Sequence, residues 1–118
     1  MKESLLHHIW QHRLFNQLNL FTTDGQAITI NQTGTLNTDA GPDFLNAQIQ
    51  IGTLKCAGNV ELHVHTSDWD KHKHSSDPAY QKLILHVVYQ HDTDYLPLNT
   101  PVLELKPHIS QAFLSKYE

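Results

Sequence analysis

The sequence predicts an α/β (α+β) domain in which helices flank a mixed sheet. Residues 3–18 space their apolar side chains three and four residues apart, which is typical of an amphipathic helix. The segment Phe44 to Ile51 alternates polar and apolar residues, the pattern of a strand with two different faces. The segment Lys82 to Gln90 is almost continuously apolar and predicts a central strand. A sheet with apolar faces needs helices to cover it, and this predicts the layered architecture.

Turn residues divide the rest of the chain. Thr23-Asp24-Gly25-Gln26 is a turn signal, and Gly34 to Pro42 reads as a loop. Gly52-Thr53 is a short turn between two strand patterns, so we expect an antiparallel hairpin. A bulge can form at Gly58. The remaining predicted strands are Ala27–Asn31, Leu54–Thr66 and Pro101–Leu105. Between the third strand and Lys82 we expect short helical turns, one capped by Ser67 and one opened by Asp77-Pro78, and a last helix is predicted at Ile109–Tyr117.

Length and composition limit the function classes. The 118 residues suit a single domain, 1–118. The formal net charge is −4 and the lysines are scattered, which argues against nucleic-acid binding by this chain alone. Cys56 is the single cysteine, so neither an internal disulfide nor a cysteine-rich zinc site is expected. No signal-peptide pattern and no bilayer-spanning apolar run is seen, and we expect a cytoplasmic protein.

Two acidic residues and a histidine form the candidate catalytic site. Glu61, His63 and His65 alternate along one predicted strand, so they share a face opposite Val60 and Leu62. Asp43 begins the neighbouring strand of the expected hairpin. Two carboxylates on adjacent strands can hold one Mg²⁺ or Mn²⁺, and His63 is placed to orient or deprotonate a water. We therefore predict Asp43 and Glu61 as metal ligands and His63 as a catalytic residue.

The segments that carry these residues resemble known families. Pro42-Asp43 followed by Glu61-Leu62-His63 resembles the PD-(D/E)XK nuclease signature, with histidine in the lysine position. The predicted helix, three strands, helix and strand also resemble that superfamily's restriction-endonuclease-like core. More specifically, TDAGPDFLNAQI, GNVELHVHTSDW and LILHVVYQHD resemble an uncharacterised bacterial family that is known as a domain of unknown function. Members of that family look longer, which implies that this chain is an amino-terminal portion.

The nuclease resemblance implies specific roles. It makes Asp43 and Glu61 the ligands of Mg or Mn and puts His63 in place of the lysine. It also matches Glu3 to an acid that some members carry on the first helix. It implies a metal-dependent hydrolase acting on phosphodiesters, with nucleic acid as the partner. Histidine carries positive charge only when protonated, so this substitution alters the chemistry.

Other interpretations remain open at the level of sequence. Asp43 also fits a turn residue after Gly41-Pro42. The alternative functions are a non-catalytic nuclease-fold module that binds a partner, and a cupin-like metal-binding barrel suggested by histidines spaced along the strands. The histidines without an assigned role are His65, His72, His74 and His86. Trp10, Trp69 and Tyr80 are interpreted as packing residues.

Overall fold

The computed structural model describes residues 1–69, 78–80, 82–94 and 99–117. It confirms the predicted fold class. Helix α1 (Glu3–Gln11) precedes six strands within these ranges. The described residues also form two 3₁₀ turns, Pro78–Tyr80 and Lys106–His108, and a four-residue helix, α2 (Gln111–Leu114). The strands are β1 (Ile28–Gln32), β2 (Thr35–Leu36), β3 (Phe44–Ile51), β4 (Leu54–His65), β5 (Leu83–Gln90) and β6 (Val102–Glu104).

All six strands belong to one curled mixed sheet. Its order is β1-β3-β4-β5-β6, and the short β2 pairs with the beginning of β3. The first strands are antiparallel, and the predicted β3–β4 hairpin is confirmed, with Ile51 opposite Leu54. Strands β4, β5 and β6 run parallel to one another. Strand β4 is therefore central, with an antiparallel neighbour on one side and a parallel neighbour on the other.

Helix α1 is shorter than its apolar pattern predicts. It ends at Gln11, and Arg13 adopts a left-handed conformation with φ of 54°. The Arg13 guanidinium donates hydrogen bonds of 3.0 and 2.8 Å to the carbonyl oxygens of Ile30 and Asn31. These bonds attach the turn after the helix to β1. Leu18, which the longer helix would have buried, is 74% exposed.

Both faces of β4 are buried from Val60 to His63. On one face, Val60 and Leu62 join the core formed with Leu6, Ile9 and Trp10 of α1. The Trp10 indole donates a 3.0 Å hydrogen bond to the carbonyl oxygen of Thr33, which satisfies its only polar group. No described helix is both long enough and apolar enough to cross a membrane.

Aromatic rings cover the opposite face of β4. Trp69 packs edge-on against His63 and His86, with ring centroids 6.1 and 5.2 Å away, and Tyr80 packs against Trp69 at 5.8 Å. All these side chains are nearly inaccessible to solvent. The prediction that Trp10, Trp69 and Tyr80 are packing residues is confirmed.

A bulge in β3 determines where Asp43 lies. Phe44 is opposite Val60 and Ala47 is opposite Gly58, so two residues of β3 face one residue of β4. Within the bulge Asn46 has φ of 59°, and its N–H donates a 3.1 Å hydrogen bond to Asn59 Oδ1. With this extra residue, the side chains of Phe44 and Ala47 both reach the core. Asp43 therefore faces the side of the sheet opposite to the one that strict alternation along β3 would give it.

Gly58 lies opposite this bulge, and its lack of a side chain leaves room for the neighbouring strand. A Cβ at this position would lie 2.5 Å from Ile84 Cγ2 and 2.6 Å from the Lys82 carbonyl oxygen. The glycine therefore allows β4 and the start of β5 to approach closely.

Candidate metal centre

Two hydrogen bonds between side chains and backbone join Asp43, at the start of β3, to Glu61 and Leu62 of β4. The Asp43 carboxylate accepts the Leu62 N–H at 2.8 Å through Oδ2, and Glu61 Oε1 accepts the Asp43 N–H at 3.2 Å. These bonds satisfy two backbone donors just where the β3–β4 ladder ends. The two carboxyl groups are also close enough to shift each other's pKa, so the structure brings the two predicted ligands together.

The two carboxyl groups have opposite protonation tendencies. Burial and the adjacent Asp43 raise the pKa of Glu61 from 4.5 to about 10, so Glu61 carries a proton at neutral pH. Burial also acts to raise the pKa of Asp43, but contacts with His7, Glu61 and the Leu62 N–H outweigh it and lower that pKa. The pair consequently holds one negative charge, on Asp43.

Helix α1 adds Glu3 and His7 to this pair. They lie four residues apart on one helix face, so both side chains point toward Asp43. His7 Nε2 is 3.5 Å from Asp43 Oδ2 and 3.8 Å from Glu3 Oε1. One ligand atom from each of the three residues lies within 4.8 Å of the others. The Asp43 carboxylate raises the pKa of His7 more than burial lowers it.

The structure places His63 in the protein interior. Only 1% of the residue is exposed, and its Nδ1 is 2.8 Å from Nε2 of the equally buried His86 on β5. Its Nε2 is 3.8 Å from Glu61 Oε2. In this arrangement the His63 ring contacts the Glu61 carboxyl group from the protein interior and does not face an open cleft. His86 is thus a hydrogen-bonded histidine of the interior.

His65, which shares the strand, is paired with a different acid. His65 is partly exposed, and its Nδ1 is 3.8 Å from Asp68 Oδ2. His72 and His74 lie outside the described residues.

His7 was not predicted as a site residue. A glutamate and a histidine four residues apart at the start of α1 were the available signal. Its meaning depends on which helix face packs near Asp43, and helical periodicity alone does not give that information.

Comparison with known families identifies the chain only at the family level. Residues 3–118 match the family described as "Protein of unknown function (DUF2851)". The chain belongs to this family. The match covers nearly the whole chain and includes every residue of the site, from Glu3 to His86. Neither the curated proteins nor the solved structures yielded a match.

Proposed function

We propose that this DUF2851 domain is a metal-dependent, nuclease-like phosphodiesterase whose cation, Mg²⁺ or Mn²⁺, is held by Asp43 and Glu61. The observation that carries the proposal is the pair of hydrogen bonds by which Glu61 accepts the Asp43 N–H and Asp43 accepts the Leu62 N–H, so that two acids far apart in sequence lie side by side where β3 begins. Two acids packed together in a buried position disfavour folding unless a proton or a cation neutralises them. A divalent cation is the neutralising group that also brings chemistry.

The donor atoms fit such an ion. Carboxylate oxygens suit Mg²⁺ and Mn²⁺, and Glu3 at the edge of the cluster can supply another. Without a cation, the raised pKa values of Glu61 and His7 favour a proton on each. A divalent cation can replace these two protons with no change in the total charge of the site. The raised pKa of Glu61 supports the proposal, because it indicates that this position favours added positive charge.

Each residue then has a defined role in hydrolysis. When bound, the cation lowers the pKa of a coordinated water and draws charge from a phosphoryl group. Asp43 and Glu61 hold it, and the backbone N–H groups of Leu62 and Asp43 fix the orientation of the two carboxyl groups. His63, behind Glu61, limits the rotamers that Glu61 can adopt. We propose that His63 contributes by positioning the Glu61 side chain. Proton transfer to or from a water would require the buried His63 ring to become accessible.

The order of elements supports the nuclease analogy. Helix α1 is followed by β1, β3 and β4, in which β3 is antiparallel to both of its neighbours, and then by β5, which is parallel to β4. Asp43 lies at the start of the second of these three strands and Glu61 lies in the third. This agrees with the arrangement that the resemblance implies. The cupin alternative is less well supported, because a cupin-like barrel does not account for the parallel β4–β5–β6 ladder.

A nuclease assay with a charge-removing variant tests the proposal. Wild type is incubated with single-stranded and duplex DNA and RNA in Mg²⁺ or Mn²⁺, beside Glu61→Gln and the matched control Asp39→Asn. Asp39 is an exposed carboxylate of the preceding loop. We expect cleavage by wild type and Asp39→Asn and none by Glu61→Gln, with equal circular dichroism spectra. Equal cleavage by all three proteins would show that the site is assigned wrongly.

One observation favours the non-catalytic binding module as second candidate. The residue in the lysine position, His63, is buried and engaged with His86, so it does not present a positive charge to a phosphate. Metal binding without cleavage of any nucleic acid would support this alternative over catalysis.

A further inference from the structure

We propose that His7 is a direct nitrogen ligand of the cation, so that the site prefers Mn²⁺ and related transition metals to Mg²⁺. The inference rests on the proposed function, because it needs a cation at Asp43. It adds a ligand that the two-acid signature does not contain. It also turns an undetermined choice between two metals into a definite preference.

The first argument is geometric. Ligand atoms that share one ion at about 2.1 Å can lie up to about 4.2 Å apart. The ligand atoms of Glu3, His7 and Asp43 already lie within 4.8 Å of one another, so side-chain shifts of less than an ångström bring them to bonding distance. Two of the three come from one helix face, which fixes their spacing before any metal arrives.

The second argument is the environment of the His7 nitrogen. Nε2 is buried, yet it makes no well-aligned hydrogen bond to any residue that the structure describes. A buried imidazole nitrogen without such a bond disfavours folding unless another group supplies the interaction. The ring is held in place by an edge contact with Phe44, with centroids 6.0 Å apart. Glu3 is 41% exposed, which leaves the cluster a route to solvent.

The third argument concerns ligand preference. Mg²⁺ favours oxygen ligands and retains its waters, whereas imidazole binds later transition metals well. One imidazole with two or three carboxylates therefore favours Mn²⁺ over Mg²⁺. Loss of a ligand should weaken binding at least as much as loss of a residue that supports one, for which about 10-fold is the usual minimum.

Pulsed electron paramagnetic resonance of the Mn²⁺-loaded protein tests the inference without any activity measurement. A coordinated histidine gives a ¹⁴N coupling to the Mn²⁺ electron spin, and this coupling changes to that of ¹⁵N when only histidine is ¹⁵N-labelled. The proteins are wild type, His7→Gln and the control His8→Gln. His8 is exposed on another face of α1, where its ring contacts His12.

We expect a histidine nitrogen coupling in wild type and His8→Gln, and none in His7→Gln. In His7→Gln the ratio of Mn²⁺ to Mg²⁺ affinity should fall by about 10-fold or more. Mn²⁺ binding with no histidine coupling in wild type, or a coupling that persists in His7→Gln, would overturn the inference and leave the proposed function intact. Absence of Mn²⁺ binding by wild type would overturn both.

Discussion

Glu61→Gln should make the isolated protein more stable at neutral pH, and the gain should grow with pH. The folded protein raises the pKa of Glu61 from 4.5 to about 10, so between these values the native state retains a proton that the unfolded chain releases. This contribution to stability is fully present below pH 4.5 and is lost as the pH rises toward 10. Glutamine is neutral throughout and does not show this loss.

The size of the effect follows from the pKa difference. A single retained proton lowers the free energy of unfolding by about 1.4 kcal/mol for each pH unit within the window. From pH 5 to pH 7 the wild type should therefore lose about 3 kcal/mol relative to Glu61→Gln. The glutamine amide also preserves the contacts, because its carbonyl can accept the Asp43 N–H and its NH₂ can donate to the Asp43 carboxylate.

Urea denaturation at pH 5, 6 and 7 in the presence of a chelator measures the difference directly. Other groups, including His7, titrate in both proteins, so their contributions largely cancel in the comparison. Asp39→Asn, an exposed change of the same kind, should differ from wild type by less than about 0.5 kcal/mol at each pH. If the stability gain of Glu61→Gln is the same at pH 5 and pH 7, Glu61 is ionised in the folded protein and the proton-sharing account is wrong.

Two further changes test the packing around the site. Gly58→Ala should destabilise the protein by about 1–3 kcal/mol, because the new Cβ would lie 2.5 Å from Ile84 Cγ2; an unchanged midpoint of urea denaturation would contradict the close approach of β4 and β5. His63→Lys should lower the free energy of unfolding by about 3 kcal/mol or more, because it buries an ammonium group and removes the hydrogen bond to His86. His12→Lys, at the exposed residue that follows α1, is the control, and equal stability of the two lysine variants would show that His63 is not buried.

The contacts that follow from local pattern could be predicted from the sequence. A two-residue turn at Gly52-Thr53 between strand patterns predicts the β3–β4 hairpin, and the hairpin brings Asp43 near Glu61. The faces of β4 also follow, since Val60 and Leu62 lie in the core and Glu61 and His63 lie opposite them. Each of these depends on a period of two residues or on a tight turn.

Features that depend on tertiary contacts were not predictable. The end of α1 is set by Arg13, whose hydrogen bonds to β1 hold a left-handed backbone that helical periodicity does not reveal. The reading of Gly34 to Pro42 as a loop was wrong at β2, whose two residues pair with the start of β3. The sequence predicted a bulge at Gly58 of β4, but in the β3–β4 pair the extra residue lies in β3, at Asn46.

The sequence pattern also did not predict that the face of β4 carrying Glu61 and His63 is buried. A strand with acids and histidines on one face predicts an exposed face, yet Trp69 and Tyr80 cover His63 and His86. Trp69 follows the end of β4 closely and Tyr80 lies farther along the chain, but the alternation within β4 does not specify that either residue packs back onto this face. This is why His63 was predicted in a cleft and lies in the interior.

The most direct test of the central claim is a crystal of the protein soaked in Mn²⁺ and measured for anomalous scattering. We predict one strong peak at Asp43 and Glu61, about 2.0–2.6 Å from a carboxylate oxygen of each. A well-occupied peak only at His72 and His74, or no peak near Asp43 at a saturating Mn²⁺ concentration, would contradict the claim that these acids form a metal centre.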